Sequence, residues 1–97
     1  MPDTHDIRLK RLKFRSWHRG FVEADLILGG FVDRYAKDLS PAQLDVLEHL
    51  LDQPDHDIYG WIVERGPTPP EFNTEIMLMI RRFRDEAHTT IGGARGG

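Results

Sequence analysis

Arg19, Gly20 and Glu23 lie within five positions of one another in the stretch RSWHRGFVEADL, so a cation, a bare backbone and an anion sit side by side. A guanidinium and a carboxylate at that spacing form a paired donor and acceptor. Glycine between them leaves two readings open. In one, Gly20 takes a positive φ as the C-terminal cap of a preceding helix, and Arg19 favours that helix's carbonyl end. In the other, Gly20 admits the backbone of a partner, and Arg19 and Glu23 flank the contact. Spacing alone does not rank them.

No stronger reaction centre competes with this one. The chain has no cysteine, which removes thiolate nucleophiles, disulfides and cysteine-ligated zinc and suits a reducing compartment. Its five histidines, His5, His18, His49, His56 and His88, are scattered, and only His49 with His56 in HLLDQPDHD hints at a metal. A calcium loop would need a mid-loop glycine and a closing bidentate acid, which that stretch lacks. Asp55 reads better as a helix cap.

The bases are unevenly placed. Arg8, Lys10, Arg11, Lys13, Arg15 and Arg19 occupy a stretch free of acids, whereas from Glu23 onward fourteen acids face seven bases. At 100° per residue Arg8, Arg11 and Arg15 share one helical face, Ile7, Phe14 and Trp17 a second, and Leu9 and Leu12 a third. This cationic ridge could stay solvated or meet an acidic protein. A small helical adaptor that uses the ridge on an acidic protein is therefore one reading. Nucleic acid is a poor fit because the acidic remainder repels phosphate, and a helix-turn-helix would carry its bases on the second helix, where Glu23, Asp25 and Asp33 stand instead.

The elements that must hold these residues are helical. Residues 7–17 lack glycine and proline and are rich in Leu, Lys and Arg, which predicts a first helix. A second begins near Phe21, with Phe21, Ala24, Leu28, Phe31, Val32 and Tyr35 on its core side. Within it, Gly29 and Gly30 either lie under a close helix crossing or mark a kink. Ser40 and Pro41 supply a capping hydroxyl and a first-turn proline for a third helix striped by Leu44, Leu47 and Leu51 and running to about Asp52. Pro54 ends it, and a short fourth helix through Ile58, Trp61 and Ile62 closes near Gly66. After the rigid GPTPP connector, Phe72, Ile76, Met79, Ile80 and Phe83 mark a fifth helix, with Arg81, Arg82 and Arg84 expected near its C-terminal end. Trp61, Met77 and Met79 read as core or groove lining.

Neither strand-like alternation nor an internal repeat is present, so the class is all-α, a compact five-helix single domain. Its boundaries are read as a flexible N-terminus at 1–6, a helical domain at 7–88 and a flexible Gly-rich tail at 89–97. With 97 residues, 39% of them hydrophobic and 30% charged, one core is affordable and wholesale disorder is not. The start MPDTHD resembles neither a secretory signal nor a mitochondrial presequence. No apolar run reaches the roughly 20 residues that span a bilayer. A cytoplasmic chain, or one already processed, is expected.

The segment HRGFVEADLILGGFV resembles the Arg-Gly-x-x-Glu signature of the SdhE family, the small flavinylation factors also called succinate dehydrogenase assembly factor 2. The likeness continues in order through LSPAQLDVLEHLLDQPDHDIYGWI, with Asp57 and Trp61 matching that family's Asp-x-x-x-Trp helix, and reaches PEFNTEIMLMIRRF, covering residues 7–86. His18 stands where the family often has a second base, and Phe21 where it often has methionine.

The resemblance implies a non-enzymatic, chaperone-like assembly factor that binds the flavoprotein subunit of succinate dehydrogenase, or of fumarate reductase, and promotes covalent attachment of FAD to it. Bond formation would use the reactivity of the flavin and a histidine of its host, so the factor need supply no nucleophile and bind no cofactor stably. Arg19, Gly20 and Glu23 would form the contact centre, beside Arg15 and His18. A weakly binding monomer is expected, acting in the bacterial cytoplasm or in a mitochondrial matrix.

Overall fold

The computed structural model describes residues 4–20 and 22–96, with side chains as far as Glu86. Five helices follow one another: α1 (Thr4–Trp17), α2 (Val22–Tyr35), α3 (Pro41–Leu51), α4 (Asp55–Ile62) and α5 (Glu75–Gly96). Short 3-10 turns at Ala36–Asp38 and Pro70–Phe72 join α2 to α3 and lead into α5. There is no strand among the described residues.

Helix α1 begins at Thr4, three residues before the boundary read from sequence, with Asp6 in its first turn, where a carboxylate suits the dipole. Ser40 starts α3 through a complete capping box. Its hydroxyl accepts from the Gln43 amide at 3.1 Å, and its own amide donates to Gln43 Oε1 at 2.9 Å. Helix α5 starts later than expected, because Phe72 sits in the preceding 3-10 turn and Thr74 Oγ1 accepts from the Met77 amide at 3.2 Å. The backbone stays helical to Gly96. The tail expected at 89–97 thus falls where side chains lie outside the described residues.

Ala24, Leu28, Phe31 and Val32 of α2, Leu44, Leu47, Leu50 and Leu51 of α3, Ile58 and Ile62 of α4, and Ile76, Met77 and Ile80 of α5 are buried together. Trp61, Met79, Tyr35 and Phe83 pack against that core from its rim. On α1 the expectation of two apolar strips is corrected. Leu12 is buried and Leu9 packs beside it, but Ile7 and Phe14 are exposed, Phe14 by 63%. Trp17, from the same strip as Ile7 and Phe14, packs on Gly29 of α2, and the ridge side is joined to α3 and its cap by ion pairs.

Both glycines of α2 lie beneath aromatic rings, and the helix runs through them unbroken. A Cβ at Gly29 would stand 2.3 Å from the indole of Trp17, and one at Gly30 would stand 2.9 Å from the ring of Phe83. Close packing, not a kink, explains the pair.

The C-terminus of α4 is held in an unexpected way. Glu64 turns through φ 57°, and Arg65 donates its amide to the Gly60 carbonyl at 2.9 Å, so the helix closes at Ile62 rather than near Gly66. Arg81 donates to the Trp61 carbonyl at 2.9 Å and Arg84 to that of Ile62. These arginines, expected to serve the end of their own helix, sit mid-way along α5 and cap a neighbour.

Candidate functional site

The bend between α1 and α2 carries the Arg-Gly-x-x-Glu residues. Gly20 is exposed and adopts φ +116°, outside the range that residues with side chains tolerate. Its missing Cβ has a second consequence: a methyl there would stand 3.1 Å from Asp55 Oδ2 at the start of α4. The glycine therefore provides both the turn and room for a carboxylate of this same chain.

Arg19 explains why that carboxylate is so near. Its side chain is only 10% exposed, and its terminal nitrogen pairs with Asp55 Oδ1 at 2.8 Å and donates to the Gln53 carbonyl at 3.1 Å. Its backbone amide donates to Asp25 Oδ1 at 2.7 Å. Its Nε is buried with no hydrogen-bond partner among the described residues. The acid that meets Arg19 in this structure, Asp55, belongs to the same chain. Nor does Asp55 cap its helix: α4 has Pro54 in the cap position with no side-chain cap bond, and Asp55 is the first residue inside.

Glu23 points the other way. It is exposed in the first turn of α2 and forms no ion pair among the described residues. Val22 and Leu26 stand beside it, 66% and 54% exposed, one helical turn apart. The bend thus offers solvent a bare backbone, a free acid and two aliphatic side chains. Phe21 lies outside the described residues.

The other two predicted contacts are placed nearby but differently. Arg15 reaches the C-terminal cap of α3, pairing with Asp52 at 2.5 Å. His18 stacks on Phe14 with ring centroids 4.2 Å apart, and its Nδ1 lies 2.7 Å from the Phe14 carbonyl.

The cationic ridge is largely spent inside the molecule. Arg8 donates to Glu48 through Nε at 2.7 Å and to Asp45 through its terminal nitrogen at 2.6 Å. These bonds, to Glu48 first and Asp45 second, push the Arg8 pKa above its ordinary value. Of the ridge, only Arg11 is exposed without a partner among the described residues. What looked like a surface for an acidic protein is the seam between α1 and α3.

Sequence reasoning missed Asp25 and Asp55 as parts of the bend, and Val22 and Leu26 as its apolar border. Asp25 carried a weak signal, being an acid in a helical first turn; Asp55 carried none, because its partner lies 36 residues away in the chain. No group of three or more histidine or acidic residues suited to a metal occurs among the described residues. His49 instead stacks on Phe72, which stacks in turn on Trp61. No described helix is long and apolar enough to cross a membrane.

Comparison with known proteins matches residues 10–84 to the family model described as flavinator of succinate dehydrogenase. The FAD assembly factor SdhE of Acetobacter pasteurianus is 37% identical over 94% of this chain and 81% of its own length. The mitochondrial succinate dehydrogenase assembly factor 2-A of Drosophila persimilis is 41% identical over 78% of this chain, and assembly factor 2 of Dictyostelium discoideum 39% over 74%. The chain spans about half the length of these two mitochondrial relatives.

Proposed function

Because this chain belongs to the family of flavinators of succinate dehydrogenase, we propose that it binds the flavoprotein subunit of that enzyme and promotes covalent attachment of FAD to it. The observation that carries the reading is the solvent-facing bend: Gly20 is bare and exposed, and Glu23 beside it is exposed with no ion pair among the described residues. That acid is free to engage a base of the flavoprotein, and Val22 and Leu26 add apolar area next to it.

The bond-forming chemistry is supplied by the flavin and the acceptor histidine of the flavoprotein. The present chain positions. By gripping an immature subunit it holds the reacting groups in a productive arrangement, a contribution that needs no nucleophile of its own. Arg19, the obvious anchor for a dinucleotide phosphate, is already taken by Asp55 and Gln53, which favours FAD being held by the partner. The same surface serves a fumarate reductase flavoprotein if that subunit presents the same base. The complex is transient and one-to-one, since an assembly factor must leave its product.

Mixing purified flavoprotein subunit, free FAD and this chain, then reading covalent flavin by fluorescence after denaturing electrophoresis, tests the proposal. Faster labelling with the wild-type chain and slower labelling with Glu23→Gln supports it; equal labelling with and without the chain overturns it. The paired state of Arg8 and Arg15 leaves the flavin-independent adaptor without its ridge.

A further inference from the structure

We propose that Asp55 and Asp25 are positioning residues for the flavoprotein-binding bend, and that Arg19 acts within the bend as an internal strut. The inference rests on the function proposed above and assigns work to two acids outside the Arg-Gly-x-x-Glu signature. The geometry is specific. Asp25 Oδ1 takes the Arg19 amide at 2.7 Å, which fixes the backbone one residue before the turn. Asp55 Oδ1 holds the Arg19 terminal nitrogen at 2.8 Å, and the Gln53 carbonyl holds it at 3.1 Å. The second oxygen of Asp55 would stand in tight contact, at 3.1 Å, with a Cβ at residue 20.

One carboxylate therefore pulls Arg19 onto α4 and also packs against the bare face of Gly20. An ion pair with one partner nine-tenths buried is held far more firmly than a surface pair, because solvent and salt screen it less. Released from Asp55, a guanidinium with few internal partners would swing to water, and a glycine at φ +116° has many other backbone states open to it. The start of α2, with Val22, Glu23 and Leu26, would then lose its orientation relative to α4. Binding would suffer because the free bend must be re-ordered on each encounter, a cost that appears as weaker apparent affinity.

The test compares Asp55→Ala, Asp55→Asn and Asp25→Ala with Glu48→Ala, which breaks a tie between α1 and α3 away from the bend. Each full-length variant is titrated into flavoprotein subunit and FAD, recording the concentration that gives half-maximal covalent labelling and the maximal rate. Asp55→Ala and Asp25→Ala should raise the half-maximal concentration about tenfold while the maximal rate changes less than about twofold. Asp55→Asn, which keeps the shape and one acceptor, should recover much of the loss. Glu48→Ala should melt earlier yet keep the wild-type half-maximal concentration. A folded Asp55→Ala chain with wild-type half-saturation overturns the inference, and so does an equal loss in Glu48→Ala.

A second readout needs no flavoprotein. In Asp55→Ala, hydrogen exchange of the Arg19 amide should speed up about tenfold while the amides of α3 hold. Unchanged exchange refutes the strut by itself. A wild-type chain that fails to accelerate labelling, with exchange behaving as expected, sinks the proposed function and the part of the inference that depends on it.

Discussion

The indole of Trp17 lies flat on Gly29, close enough that a Cβ there would stand 2.3 Å from the ring, while its Nε1 donates to Asp33 at 3.1 Å. One contact both seats α1 on α2 and accounts for a residue that costs its own helix. Glycine inside a helix is worth about 1 kcal/mol less than alanine, so the site would be a simple liability if the ring did not need the space.

Gly29→Ala should therefore destabilise the protein by about 1–3 kcal/mol, since overpacking against the indole outweighs the gain in helix propensity. Gly60 in α4 is the control, because nothing lies within 4 Å of its missing Cβ. Gly60→Ala should stabilise by roughly 0.5–1 kcal/mol. Chemical denaturation of the two variants decides the matter; shifts of the same sign would mean that Trp17 does not occupy the Gly29 face.

Ser16 is buried in α1, and its hydroxyl has no partner among the described residues. An unsatisfied buried hydroxyl costs about 1–3 kcal/mol, and alanine is also the better helix former. Ser16→Ala is expected to raise the melting temperature, and a lowered one would show that the hydroxyl is satisfied in solution.

Glu64 holds a left-handed turn at φ 57° after α4. Glycine takes that conformation without a Cβ penalty of roughly 1 kcal/mol. Its ion pair to Arg81 is long, at 3.5 Å, and the Glu64 end is 57% exposed, so solvent screens the contact there. Glu64→Gly should accordingly be neutral or stabilising in urea unfolding, whereas a clear loss would assign the Arg81 contact real weight.

Glu23→Gln separates function from folding. The side chain is exposed and has no ion pair among the described residues, so its effect on unfolding free energy should stay within about 0.5 kcal/mol. Covalent labelling of the flavoprotein should nevertheless fall. If stability drops in step with labelling, Glu23 supports the bend instead of meeting a partner.

Much of this protein was decided locally. The 3.6-residue period placed Leu44, Leu47 and Leu51 inside α3 and Phe31 and Val32 inside α2, because which side of a helix is apolar depends only on neighbours a turn away. Ser40 and Pro41 started α3 for the same kind of reason, since a cap bonds to an amide three residues on. The Arg-Gly-x-x-Glu stretch was legible as a motif, and Gly20 as a positive-φ turn.

What no local rule contains is which charges meet across the bundle. Arg8 finds Glu48 forty residues away, and Arg19 and Asp55 close a similar gap. Arg81 and Arg84 desert their own helix end to cap α4. Those pairings depend on the angles and offsets at which helices pack, set by the fit of every side chain in the core at once. Packing joined Arg8 and Arg15 to acids of α3 and its cap, set Arg19 against Asp55, and left Glu23 exposed beside the bend.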